Sequence, residues 1–205
     1  MKKTVDYFYS HLSPYAYLGH QTLLELATKH QLDIQFRPIN LLQVFEKTGG
    51  LPLGKRHKVR IAYRTIELLR WREKRGIALN IAPKFFPTNP QPSELAAISI
   101  SKQGGDIAKF SALVFQAIWQ EDKDIADPQV ITQLIENVGS KPDNEANDQT
   151  QVMNDYIKNT EIAIELGVIG SPSYVYQGEI FWGQDRLELL DDALSSGRAP
   201  LLMGL

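Results

Sequence analysis

The chain reads as an α/β fold. A β-α-β unit at the N-terminus and a β-β-α unit at the C-terminus build one mixed four-stranded sheet, with an all-helical insertion between them. Three observations predict this. Val5–Tyr9 is an alternating, β-prone run, followed by a helical pattern from Ser13-Pro14 and a second strand-like run from Asp33. The middle of the chain keeps a helical period. Beyond Ser173 the period returns to 2 around the dipeptide Gln177-Gly178, as in a hairpin. Four short strands cannot sustain two separate sheets, so they are expected to share one. The sheet-bearing domain is then residues 1–45 and 165–205, and the insertion is 46–164.

The first strand is expected over Thr4–Tyr9. Ser13 is a favoured N-cap and Pro14 a favoured first helical residue, so a helix is predicted from Pro14 to about His30. A second strand, Asp33–Arg37, ends at Pro38. The intervening helix is long enough for a crossover, which makes the two strands parallel. Asn40–Gly54, with Gly49-Gly50, Pro52 and Gly54, reads as an irregular loop. A helix follows over His57–Arg75, with Val59, Ala62, Ile66 and Leu69 on one stripe and Gly76 as C-cap. Pro83, Pro87, Pro90 and Pro92 exclude regular structure around them. Further helices are predicted at Ser93–Gln103, Asp106–Gln120, Asp127 to Gly139, Asn147–Leu166 and Asp185–Ser195, with a loop-like start to Lys141–Thr150. The hairpin strands are Ser173–Tyr176 and Glu179–Trp182.

Composition narrows the function. The formal net charge of −2 over 205 residues offers no electrostatic footprint for nucleic acid or an anionic membrane. No apolar run approaches the roughly 20 residues of a membrane helix, and Lys2-Lys3 precedes no apolar signal segment. Cysteine is absent, which removes disulfides, thiol nucleophiles and Cys-ligated metal sites. No metal site is read from the chain, and the cytoplasm is the default location.

Three segments lie at strand, loop and helix junctions, where α/β sheets place ligands: Ser10–Ser13, Ser171-Pro172 and Gly183–Asp185. Ser13 reads either as a simple cap or as a hydroxyl facing a bound anion at the positive end of a helix. Gln184 and Asp185 read either as caps or as groups for a ligand amine and carboxylate. The base rate for X-Pro bonds favours trans at Pro172. Lys55-Arg56-His57-Lys58, with Arg60 and Arg64, is the one concentrated positive patch. The patch reads for most of its members as a solvated helix start; the alternative is a bound anion, because a helix start disfavours cations.

Tyr7–Leu18, Gly167–Pro172 and Gly178–Leu187 together resemble the 2-hydroxychromene-2-carboxylate isomerases, which group with kappa-class glutathione transferases in the DsbA-like branch of the thioredoxin superfamily. The resemblance spans nearly the whole chain. It implies a thioredoxin-like domain with a helical insertion and glutathione as cofactor. It also implies a small aromatic substrate and a homodimer. Ser13 falls where the family's serine contacts the glutathione sulfur and redox relatives carry Cys; the tetrad Ser13-Pro14-Tyr15-Ala16 cannot do dithiol chemistry. Ser171-Pro172 matches a cis-proline turn beside the cysteinyl backbone, so the resemblance implies cis. Trp182 matches the isomerase-like motif, and Gly183-Gln184-Asp185 the stretch at the γ-glutamyl end. Lys58 falls where the family has a lysine near substrate, and Lys55 and Phe85 are further candidates to line it. Gly50 and Gln184 depart from commoner family residues, and His11 is read as supporting the loop or facing solvent. The implied activity is a glutathione-dependent cis-trans isomerisation in aromatic-compound catabolism. The alternatives are a kappa-like conjugating transferase and a non-enzymatic glutathione or peptide binder.

Overall fold

The structure, a computed structural model, describes residues 2–141 and 146–204. Its elements run β1 (Thr4–Tyr9), α1 (Pro14–His30), β2 (Asp33–Pro38), α2 (Leu41–Thr48), α3 (Lys58–Arg75), α4 (Gln91–Lys102), α5 (Ile107–Trp119), α6 (Pro128–Asn137), α7 (Ala146–Leu166), β3 (Ser173–Tyr176), β4 (Glu179–Trp182) and α8 (Leu187–Ser196). The sheet order is β2-β1-β3-β4. β1 and β2 are parallel, with Tyr7 opposite Phe36, and the β1–β3 and β3–β4 pairs are antiparallel. This is the mixed four-stranded thioredoxin-like sheet.

Strand periodicity sorts the side chains of the sheet onto two faces. Val5, Tyr7 and Tyr9 join Tyr174 and Phe181 in one apolar cluster with Leu18 and Leu23 of α1, Leu187 and Leu190 of α8, and Phe110, Phe115 and Trp119 of α5. Phe8 and Val175 point the other way, into a smaller cluster with Val44 of α2, Ala163 of α7 and Val168. Tyr7 stacks between Tyr9 and Tyr174, with ring centroids 4.5 and 5.3 Å away. Phe115 brings the insertion onto this ladder, its ring 5.1 Å from that of His11, 5.4 Å from His20 and 6.2 Å from Tyr9.

Several boundaries differ from the sequence expectation. Within the expected loop Asn40–Gly54 lies α2: the Asn40 side chain caps it by accepting from the Gln43 amide, and Gly49 closes it in the left-handed conformation. Its eight residues are too few for a periodic signal beside the neighbouring glycines. α4 starts two residues early, with Pro92 in the first turn, where a missing N–H costs nothing. The stripe on α3 faces solvent, with Val59 64% and Ile66 46% exposed, and the buried side is centred on Leu68. The last helix opens as a 3-10 turn at Gln184–Arg186. Of the expected loop at the start of Lys141–Thr150, residues 142–145 lie outside the described residues, and helix is present from Ala146.

Apolar packing runs unbroken across the expected boundary between the sheet-bearing part and residues 46–164. The two parts are therefore expected to unfold together, with far-ultraviolet dichroism and tryptophan fluorescence giving one coincident transition. Phe115→Ala, which empties the contact between them, should lower stability by about 3–5 kcal/mol in denaturant titration. Two separate transitions in the wild type would show that the insertion has a core of its own.

Candidate active site

The strand β1 delivers Ser10 to a sharp turn that ends at Ser13, whose amide donates to the Ser10 carbonyl at 3.0 Å. Ser13 caps α1: its hydroxyl oxygen accepts from the Ala16 amide at 3.2 Å, and its hydroxyl hydrogen is donated to the Ser171 carbonyl at 2.8 Å. The Ser10 amide returns the connection, donating to the Ser171 hydroxyl at 2.9 Å. The Ser171-Pro172 peptide is cis, and the Pro172 carbonyl accepts from the Gly183 amide at 2.9 Å. Three segments distant in sequence thus meet at the positive end of α1. The first-turn amide of Tyr15 has no carbonyl partner within the helix.

Beside this junction, Gln184 is buried, and its side-chain oxygen accepts from Arg75 Nε at 3.2 Å and from a terminal guanidinium nitrogen at 3.0 Å. Its Nε2 is buried without a partner. α1 approaches closely here: a Cβ on Gly19 would lie 2.7 Å from the Gln184 Cβ and 2.8 Å from the Tyr174 hydroxyl, which requires glycine. Asp185 is partly exposed and pairs with Arg186 at 2.5 Å. Trp182 is 51% exposed, and its indole nitrogen lies against the Gly170 backbone.

The positive patch splits by direction. Lys55 and Lys58 are exposed, and among the described residues neither makes an ion pair. His57 caps α3 by accepting from the Val59 amide through Nδ1. Arg56 and Arg64 are half-buried. Arg56 lies over the Phe45 ring at 5.8 Å and Arg64 over Phe86 at 5.9 Å. Both act on the Tyr15 phenol: burial raises its pKa, Arg64 and Arg56 oppose the rise, and Glu67 and Asp185 add to it. Phe85 lies under the Lys84 ammonium at 4.9 Å; the neighbouring Phe86 is the ring beside Arg64. Sequence reasoning named Arg64 only as one member of the positive patch and did not single out Tyr15 or Phe86, because nothing local marks which members of an aromatic pair or a cation run turn inward.

Behind the Ser10–Ser13 turn lies a buried polar group that sequence reading also missed. Glu94 of α4 is fully buried and accepts from the His11 amide at 3.3 Å and the Tyr156 hydroxyl at 2.7 Å. Burial raises its pKa to about 7 against these donors and the Ser10 hydroxyl. His11 is buried behind the loop rather than facing solvent. Its Nδ1 lies 3.0 Å from the Ser93 hydroxyl and its carbonyl accepts from the Trp119 indole at 3.1 Å. Burial, with His20 nearby, lowers its pKa to about 3; His20, also buried, is lowered to about 4. Among the described residues no cluster of His, Asp and Glu is placed to hold a metal ion, and no helix is long and apolar enough to cross a membrane.

A strand-to-helix turn facing a cis-proline loop across a mixed sheet defines a thioredoxin-fold protein. The DSBA-like thioredoxin domain matches residues 4–195. A 2-hydroxychromene-2-carboxylate isomerase from Pseudomonas putida is 31% identical, the match covering 93% of each chain. Glutathione S-transferase kappa 1 from Homo sapiens is 24% identical over 93% of this chain and 90% of its own. A solved structure of a 2-hydroxychromene-2-carboxylate isomerase superposes with a TM-score of 0.77 at 29% identity, covering 94% of this chain and 95% of that one. The chain belongs to the 2-hydroxychromene-2-carboxylate isomerase family, within the DsbA-like thioredoxin proteins.

The buried groups set opposing pH dependences. Unfolding lets His11 and His20 take up protons near pH 6.5, well above their folded values of about 3 and 4, so stability falls as pH drops below about 6.5. Glu94 acts the other way: it protonates at about 7 when folded and near 4.5 when unfolded, so its contribution is lost as pH rises from 4.5 to 7. Glu94→Gln removes only the second effect. Relative to wild type, the variant should gain up to about 3 kcal/mol between pH 5 and pH 8 in urea titrations. Parallel pH profiles for the two proteins would show that Glu94 does not titrate in this range.

Proposed function

We propose that the protein is a glutathione-dependent cis-trans isomerase of 2-hydroxychromene-2-carboxylate-like aromatic intermediates. The observation that carries this reading is the Ser13 hydroxyl at the start of α1, 2.8 Å from the carbonyl before the cis proline, in a chain without cysteine. The residues fit glutathione. Ser13 and the Tyr15 amide offer donors to a thiolate, the Ser171 peptide offers a backbone edge, and the unpartnered Gln184 Nε2 and Asp185 would serve the γ-glutamyl end that the family resemblance implies for this stretch. Bound glutathione supplies a sulfur nucleophile that adds reversibly to a conjugated carbon and is regenerated.

The protein's part is to keep that sulfur ionised and the substrate aligned. A free thiol has a pKa of about 8.5, and lowering it by about two units takes roughly 2.7 kcal/mol. A charge-assisted bond from Ser13 plus the positive end of α1 is of that order. To serve the sulfur, the Ser13 hydroxyl must turn from the Ser171 carbonyl to the ligand. The family resemblance implies Lys58, with Lys55 and Phe85, on the substrate side; in the structure both lysines are exposed, and Phe86 rather than Phe85 lies beside Arg64. A cytoplasmic homodimer belongs to the same reading; a sedimentation mass of two chains would support the dimer.

The match to a protein named glutathione S-transferase kappa 1 supports a second reading, in which glutathione is consumed by conjugation. Product mass separates the two: isomerisation leaves it unchanged, and conjugation adds glutathione. Calorimetric titration of glutathione, with thiolate absorbance followed in parallel, is the direct test. Wild type should bind saturably with a thiolate signal at neutral pH. Ser13→Ala should lose most of that signal and about 10²–10³-fold in turnover. Absence of binding to the wild type at millimolar glutathione would overturn the mechanism.

A further inference from the structure

Among the described residues, Arg56 and Arg64 differ from Arg70 and Arg186 of the site region in having no carboxylate partner. Arg70 pairs with Glu67 and Arg186 with Asp185, both at 2.5 Å, so the two acids that act on the Tyr15 phenol already have partners. Arg56 gives its Nε to the Leu51 carbonyl at 2.7 Å, and among the described residues neither Arg56 nor Arg64 has a carboxylate partner. Arg64 is half-buried, and both burial and the neighbouring Arg56 weigh against its charge. Two half-buried guanidinium groups that repel each other and lack a carboxylate are costly unless an anion completes them.

The surroundings say what kind of anion. Each guanidinium lies over an aromatic ring, Phe45 or Phe86. Phe45 sits against Gly50, where any Cβ would come within 2.3 Å of the ring; the glycine makes room for the ring that carries Arg56. Tyr15, which both arginines influence, lies two residues beyond Ser13 in the first turn of α1. A guanidinium fork fits a planar carboxylate, and the flanking rings fit a flat apolar body.

We propose that Arg64, assisted by Arg56, holds the carboxylate of an aromatic substrate in a subsite bounded by Tyr15, Phe45 and Phe86. The proposal rests on the reading of the Ser13 end of α1 as the reaction centre. It gives the substrate-binding cation a place on the inward side of α3, whereas Lys58 faces solvent.

The test uses trans-cinnamate and trans-cinnamamide, which have the same shape and differ in charge, titrated into the full chain with and without glutathione. Wild type should prefer cinnamate by about tenfold or more, equivalent to about 1.4 kcal/mol. Arg64→Gln should abolish the preference and change cinnamamide affinity less than about twofold. Arg56→Gln should reduce the preference, and Lys58→Gln should leave it intact. Arg64→Lys keeps the charge without the fork and should retain part of it; with Arg56→Gln it decides the matter if Arg64→Gln fails to fold. Equal binding of the two probes by wild type, or loss of the preference in Lys58→Gln alone, would overturn the proposal. So would a preference that survives in Arg64→Gln while glutathione affinity falls, because the carboxylate would then be glutathione's. Failure of wild type to bind glutathione sinks the isomerase reading separately, while the charge preference for cinnamate is still measured.

Discussion

The hydrogen bond from the Ser13 hydroxyl to the Ser171 carbonyl joins the first and last parts of the site. A bond of this kind contributes only about 0.5–1.5 kcal/mol to stability. Its importance is geometric. It sets the start of α1 against the cis-proline turn, and the Pro172 carbonyl in turn fixes Gly183 and the entry to the last helix. The sheet order brings these segments within reach: β1 and β3 are neighbours although most of the chain lies between them. A local cap and a long-range clamp are therefore made by one side chain.

Support for that turn comes from behind it, and it is polar. Glu94, His11, Ser93 and Tyr156 form a network below the surface of the site, among the rings of Phe110 and Phe115. Buried polar networks specify one arrangement because any other leaves a group unpaired. Here the network holds the backbone of His11, so it constrains the approach to Ser13 without touching a ligand. The insertion supplies most of these groups and so helps to shape the turn.

Much of the fold was legible in the residues themselves. The alternation of Val5–Tyr9, the Ser13-Pro14 start and the Gln177-Gly178 turn are local signals with local causes, and the elements they predict are present at nearly the expected positions. The cis state of Pro172 was not readable from base rates and followed only from the resemblance. α2 was hidden because the glycines and proline that follow it spoke louder than eight residues of helix. The direction of the α3 stripe, the burial of His11 and Glu94, and the inward turn of Arg64 depend on neighbours far along the chain. A period shows that a helix has two faces; it does not show which one meets the core when the apolar residues are few. The same applies to the site. Ser13, Ser171 and Pro172 stand at junctions that the sequence marks, whereas the exposure of Lys58 and the choice between Phe85 and Phe86 as the ring beside Arg64 have no local signal.

α3 has one further consequence. Arg64 lies in its second turn and Arg75 ends it, and at a rise of about 1.5 Å per residue the two are about 16 Å apart. The near end faces Tyr15; the far end grips Gln184, in the segment that follows β4. A helix of this length is stiff, so the two ends cannot move independently. One rigid element therefore carries both the arginine beside Tyr15 and the arginine that holds Gln184, so the spacing of these two parts of the site is set by the length of a single helix.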